Sequence, residues 1–207
     1  MLVNSVAYRD GKKIADVKRE EIRTYLARTD CILWMAVRDP EPHELDELEK
    51  EFGLHPLAIE DARHGHQRPK FEEYGDLLFF VLHMIEPDGE ELRVGEVDIF
   101  VAHNFVLSVR TRSERSFQDV RTRCEREPKL MQYGPGYILY ALMDAVVDRY
   151  FPIIDTIETR LETIEDQIFA GNSPRANIEA LYDLKHQLVT VKHATAPLLE
   201  AVGKMHG

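Results

Sequence analysis

The chain has 207 residues, and 37 acidic against 26 basic side chains give it a net charge of −11. At 44% hydrophobic and 30% charged it is a folding sequence, and its acidity argues against the basic face that nucleic acid or an anionic membrane surface requires. The longest apolar run, Leu77 to Ile85, is nine residues against about 20 for a membrane span, so a soluble chain without a leader peptide is expected.

In chain order, Leu2 to Tyr8 and Ile14 to Val17 read as a hairpin around Asp10-Gly11, because Asp-Gly supplies the positive φ of a tight turn. Cys31 to Val37 is a buried-strand candidate ended by Asp39-Pro40. His43 to Phe52 is an amphipathic helix with Leu45, Leu48 and Phe52 on one face and Gly53 as its stop. Pro56 starts a short helix to Ala62. Leu77 to Met84 is apolar throughout, hence a strand covered on both faces. Turns at Glu86-Pro87-Asp88-Gly89 and His103-Asn104 return Val94 to Ala102 and Phe105 to Val109 as an antiparallel meander, followed by a helix over Glu114 to Glu127.

Beyond residue 136 the pattern is helical. Leu139, Leu142, Val146, Tyr150, Ile153, Ile157, Leu161, Ile164 and Ile168 recur at three and four residues, one stripe along a helix that Pro152 should bend. Gly171-Asn172-Ser173-Pro174 stops that helix and starts another, whose stripe is Leu181, Leu184, Leu188, Val191, Leu198 and Val202, interrupted by Thr195. The expected fold is therefore α/β: an α/β/α layered domain with a mixed, partly antiparallel sheet over residues 1–132, then a long antiparallel helical hairpin over residues 133–207.

Enzyme signatures are absent. There is no G-x-G-x-x-G after a strand, no Walker loop, no G-x-S-x-G and no H-E-x-x-H. Cys31 and Cys124 make neither a disulfide framework nor a zinc knuckle, which points to a reducing cytoplasmic setting. Chemistry concentrates between Phe52 and Asp76. There Glu60 and Asp61 adjoin His64 and His66. Carboxylates alone suit Mg²⁺, whereas added imidazoles favour Zn²⁺, Co²⁺ or Ni²⁺; ion pairing of the two acids with Arg63, Arg68 or Lys70 is the competing reading.

At these residues the sequence resembles the cytoplasmic part of the CorA-type magnesium and cobalt transporters. The resemblance rests on Phe52-Gly53-Leu54-His55-Pro56-Leu57, Glu60-Asp61 and Gln67-Arg68-Pro69-Lys70 with Glu72. It extends to Leu77–Met84, Asn104-Phe105-Val106-Leu107 and the run Tyr140-Ala141-Leu142-Met143-Asp144-Ala145-Val146-Val147-Asp148. Residues 1–45 match in pattern only. The resemblance implies a homopentameric channel, with this α/β/α domain on the cytoplasmic face of the inner membrane. A stalk helix and two membrane helices, joined by a Gly-Met-Asn signature that this chain lacks, would complete it. The resemblance also implies that Glu60 and Asp61 form half of a regulatory Mg²⁺ site completed by an acid of the neighbouring subunit. Without stalk and pore the fragment is expected to bind Mg²⁺ weakly, to transport nothing and to be monomeric. Co²⁺, Ni²⁺ and Zn²⁺ stay open as ions, and a soluble helical-hairpin adaptor or a metal-dependent hydrolase as other functions.

Overall fold

The computed structural model describes residues 2–171 and 173–204. Its centre is set by side-chain alternation. On β3 (Ile32–Arg38), Leu33, Met35 and Val37 turn to one side of the sheet and Trp34 to the other. On β5 (Leu77–Asp88), Phe79 and Val81 oppose Phe80, Leu82 and Met84 in the same way. A sheet apolar on both faces is stable only if both are covered, and helices cover both.

The seven strands lie in the order β2-β1-β3-β7-β6-β5-β4, with β1 at Leu2–Arg9, β2 at Lys12–Asp16, β4 at Lys70–Tyr74, β6 at Glu91–Val101 and β7 at Phe105–Thr111. Only β3 and β7 run parallel; every other neighbouring pair is antiparallel. On one face α1 (Ile22–Leu26), α2 (Pro42–Phe52) and α3 (Pro56–His64) bury Ile22, Leu45, Leu48, Phe52, Ala58, Ile59 and Ala62. On the other, α4 (Gln118–Glu125), α5 (Pro128–Met131) and α6 (Pro135–Asp148) bury Val120, Cys124, Met131, Ile138, Leu139 and Leu142. The antiparallel pair α7 (Phe151–Phe169) and α8 (Pro174–Lys204) continues that second layer, and α8 also packs on β4, β5 and β6. The α/β/α layering, the mixed sheet and the long helical hairpin are thus all present. At about 1.5 Å per residue α8 is roughly 46 Å long, yet no described helix is long and apolar enough to cross a membrane.

Several boundaries move. The chain forms α6 and α7 in place of one bent helix, because Pro152 has no N–H for the ladder and sits in the first turn of α7, where none is needed. The buried Tyr150 hydroxyl donates to the His83 carbonyl at 2.7 Å beside that break. Strand β5 runs past the expected turn at Glu86 to Asp88, since Glu86 is neutralised within the sheet by Arg93, its cross-strand partner. The helix expected over Glu114 to Glu127 is shortened to α4 because Ser113 to Arg115 wrap the Glu86 carboxylate instead. Edge strand β4, mostly polar in sequence, is added by pairing with β5. Asn172 of the expected turn lies outside the described residues; Gly171 before it has φ of 74°, and α8 begins at Pro174.

The expected Asp10-Gly11 turn is present, with φ of 51° and 75°. A Cβ on Gly11 would lie 2.0 Å from the Pro128 carbonyl oxygen at the start of α5. Gly11→Ala combines that clash with a disfavoured backbone. It is expected to lower unfolding free energy by about 2 kcal/mol or more, read as a shift in the urea midpoint at unchanged slope.

Candidate metal centre

Helix α3 begins where His55 caps it, its Nδ1 accepting from the Leu57 amide at 3.3 Å, with Pro56 in the first turn. Ala58, Ile59 and Ala62 anchor one side to the sheet, which turns Glu60 out to solvent and leaves Asp61 half-buried. Adjacent residues on a helix are about 100° apart and do not face each other. Glu60 and Asp61 therefore do not close on one ion by themselves.

Asp61 already has a cation. Its Oδ2 accepts from Lys70 Nζ at 2.7 Å, and Lys70 also pairs with Glu72 at 3.1 Å. The Tyr74 hydroxyl donates to Glu72 at 2.7 Å, and the Tyr74 ring stacks on His55 at 4.1 Å between centroids. This row ties the far end of α3 through β4 back to its start. Burial works against the Lys70 charge, but the hydrogen bonds to Asp61 and Glu72 outweigh it and raise its pKa. Glu72 is lowered: burial opposes its charge, and the bonds from Tyr74 and Lys70 overcome that. The competing sequence reading, in which Lys70 neutralises Asp61, is the arrangement found. Arg63, another of the three candidate partners, pairs with Asp46 of α2 instead.

The two histidines are not brought together on an ion. His64 Nδ1 bonds the Glu60 carbonyl at 2.8 Å, closing the last turn of α3, and His66 Nδ1 lies 2.9 Å from an Arg112 guanidinium nitrogen. Among the described residues, no group of three or more His, Cys, Asp or Glu is placed to hold a metal. What the chain offers is an exposed carboxylate beside an ion-paired one. Such an oxygen half-site fits Mg²⁺, which keeps most of its water and takes one or two protein carboxylates; the imidazole set that Zn²⁺, Co²⁺ or Ni²⁺ would favour is not assembled.

Beneath the loop after α3 lies a feature that sequence patterning misses. Glu96 and Asp98 alternate along β6 with Val97 and Ile99, a pattern that reads as a solvated strand face. Yet they are 3% and 0% exposed. Glu96 Oε2 accepts from the Gln67 amide at 3.0 Å, while His83, opposite Glu96 on β5, bonds the Gln67 carbonyl at 2.8 Å. No described donor reaches either Asp98 oxygen, so burial disfavours its charged form. Burial, then the Glu96 charge, raises the Asp98 pKa well above its ordinary range; burial likewise lifts Glu96 to about 6.

Residues 30–206 match the family model described as CorA-like Mg²⁺ transporter protein. The chain belongs to the CorA family. It is 34% identical over 165 residues to the putative metal ion transporter YfjQ of Bacillus subtilis, covering 80% of this chain and 51% of that protein. It is 30% identical over 158 residues to the cobalt/magnesium transport protein CorA of Thermotoga maritima, covering 75% and 45%. In fold it matches the soluble domain of CorA from Methanocaldococcus jannaschii with a TM-score of 0.68 at 19% identity, covering 97% of this chain and 78% of that one. The chain thus spans about half the length of the curated CorA relatives it matches.

Two outcomes follow. The folded chain holds protons on Glu96 and Asp98 that the unfolded chain releases in the ordinary carboxylate range. Their contribution to stability therefore falls as pH rises from that range through the raised values, and the penalty is complete above them. Asp98→Asn is expected to be more stable than the parent at about pH 8 by on the order of 1–2 kcal/mol, with the advantage shrinking towards about pH 5 in urea titrations. Lys70→Met leaves Asp61 without its cation. Calorimetry should then show Mg²⁺ binding about threefold to fivefold tighter, the equivalent of roughly 1 kcal/mol for a partly exposed ion pair.

Proposed function

We propose that this chain is the non-catalytic, cation-sensing domain of a divalent metal transporter or channel for Mg²⁺ or Co²⁺, working at the cytoplasmic face of a membrane as part of a homopentamer. The observation that carries this reading is the outward Glu60 beside Asp61 on α3, in a chain that matches the CorA-like Mg²⁺ transporter model over residues 30–206. Membrane helices and stalk would come from a part of the protein absent from this chain. The relative named a cobalt/magnesium transport protein supports the choice of ions.

In the mechanism proposed, Glu60 and Asp61 face acidic groups of a neighbouring copy. Like charges across such an interface repel, and a hydrated Mg²⁺ between them cancels the repulsion. Bound ion holds the assembly in one arrangement; its loss at low Mg²⁺ releases it, by no more than the ion's preference for the bridged state. Lys70 holds Asp61 while no ion is bridged, so that the carboxylate is not left uncompensated. A half-site alone should bind weakly in the isolated chain, and its metal is Mg²⁺ in preference to Co²⁺, Ni²⁺ or Zn²⁺.

The test uses the membrane-embedded protein that the reading requires. Millimolar Mg²⁺ should protect it from limited proteolysis, and Asp61→Ala or Glu60→Ala should abolish most of that protection while leaving the fold intact. Unchanged protection in both variants would falsify the sensor role. A reading frame that stops without two apolar segments would favour a free-standing adaptor.

A further inference from the structure

A second charged locus lies on the opposite side of the sheet from Glu60 and Asp61, and its sign is reversed. Between β1, β3, β7 and the start of α4 there is a cavity of about 40 Å³. Trp34 and Phe117 form apolar walls, and Arg110, Arg121, Asn4 and Gln118 bring polar groups to it. Water-sized occupants need roughly 10–15 Å³ each, so the space equals about three of them, the size of one tetrahedral oxyanion or one carboxylate group. Exposed Gln118 and half-exposed Val3 also line the cavity, which gives it access to the surface.

The arginines here are short of acceptors. Arg110 is 2% exposed; its Nη1 donates to the Arg115 carbonyl, but its Nε has no hydrogen-bond partner among the described residues. Arg121 donates from Nη2 to Gln118 at 3.1 Å and stands 3.6 Å from Glu125, and its Nη1 is buried without a partner. Arg149 lies behind the Phe117 wall, 4.8 Å from the ring centroid, with Arg110 5.8 Å from the same ring. Two guanidinium groups thus lie over one aromatic ring, and Arg121 lines the same cavity. Arg121 has a long ion pair with Glu125 and Arg149 one with Asp119, whereas Arg110 has none among the described residues. Glu86 is saturated by Ser113, Arg93 and the amides of Glu114 and Arg115; Glu125 accepts from Tyr8; Asp119 is solvent-exposed at 3.5 Å from Arg149. Burial, then the neighbouring Arg38 and Arg149 charges, pulls the Arg110 pKa below its usual value, as expected where positive charge is in excess.

We infer that this cavity is a small-oxyanion site, in which the Arg110 and Arg121 forks take a phosphate or carboxylate group against Trp34 and Phe117. Guanidinium forks match both groups in geometry and stay charged when partly buried. The chain would then sense an anion on one face of its sheet and, on the reading above, a cation on the other. The site stands on its own residues and does not depend on Glu60 or Asp61.

Trp34 is the only tryptophan, so its fluorescence reports the cavity directly. The full chain is titrated with inorganic phosphate and, separately, with acetate, at ionic strength held constant by sodium chloride. A saturable change in Trp34 emission with one of the oxyanions, absent with chloride, is expected; saturation by phosphate alone assigns a phosphate group and saturation by acetate a carboxylate. Arg121→Gln should weaken binding tenfold or more with circular dichroism unchanged, and Arg121→Lys should restore part of it. No saturation with either oxyanion, or the same affinity in Arg121→Gln, overturns the site. If Arg121→Gln fails to fold, Gln118→Ala on the exposed rim gives the second reading, with a measurable loss of affinity expected and no loss counting against the site.

Discussion

One constraint shapes this molecule: its central strands are apolar on both faces. A strand such as β5, with Phe79 and Val81 on one side and Phe80, Leu82 and Met84 on the other, cannot leave either side in water. Each face needs its own helical layer, and the two layers do different work. The layer of α1 to α3 is thin and carries the exposed Glu60. The other is deep, and its outer part is the α7–α8 pair, in which Ile153, Ile157, Ile164, Leu184, Val191 and Leu198 continue the core away from the sheet. Because α3 is fixed by Ala58, Ile59 and Ala62, its acids sit on a rigid element, as the proposed cation site needs.

Polar groups inside these layers meet opposite fates for one reason, the supply of donors. Glu86 on β5 is 5% exposed and ionised. It accepts from Ser113, Arg93 and two successive backbone amides, and these hydrogen bonds overcome the effect of burial and lower its pKa. Asp98, on the neighbouring strand, is equally buried but finds no donor, so burial raises its pKa. Arg110 presents the same problem with the sign reversed. A buried charge is stable only where partners are fixed around it, and the chain meets that condition fully at Glu86 and incompletely at Asp98 and Arg110.

Much of the fold is legible in the residues. The Asp10-Gly11 hairpin, α2 with Gly53 at its end, α3 after Pro56, and strands β3, β5, β6 and β7 follow from local rules that neighbours in sequence satisfy. What was not legible depended on distant partners. The mostly polar Lys70–Tyr74 becomes a strand only because β5 offers its edge, and β5 reaches past Glu86 only because Arg93 and the Ser113–Arg115 loop neutralise it. Glu96 and Asp98 read as outward residues because alternation shows that they share a face, not whether that face is wet.

For the candidate metal site the division is sharper. The sequence by itself determined the residue types and their place: two adjacent carboxylates at the end of a short helix, within family motifs that run in order along the chain. Only the tertiary structure decided that Glu60 points to solvent, that Lys70 arrives from β4 to hold Asp61, and that His64 and His66 are occupied elsewhere. The physical reason is range. Helix caps, turns and periodicity are settled within a few residues, whereas the charge environment of a side chain is set by whatever the sheet register brings within hydrogen-bonding distance, and that register is a property of the whole fold.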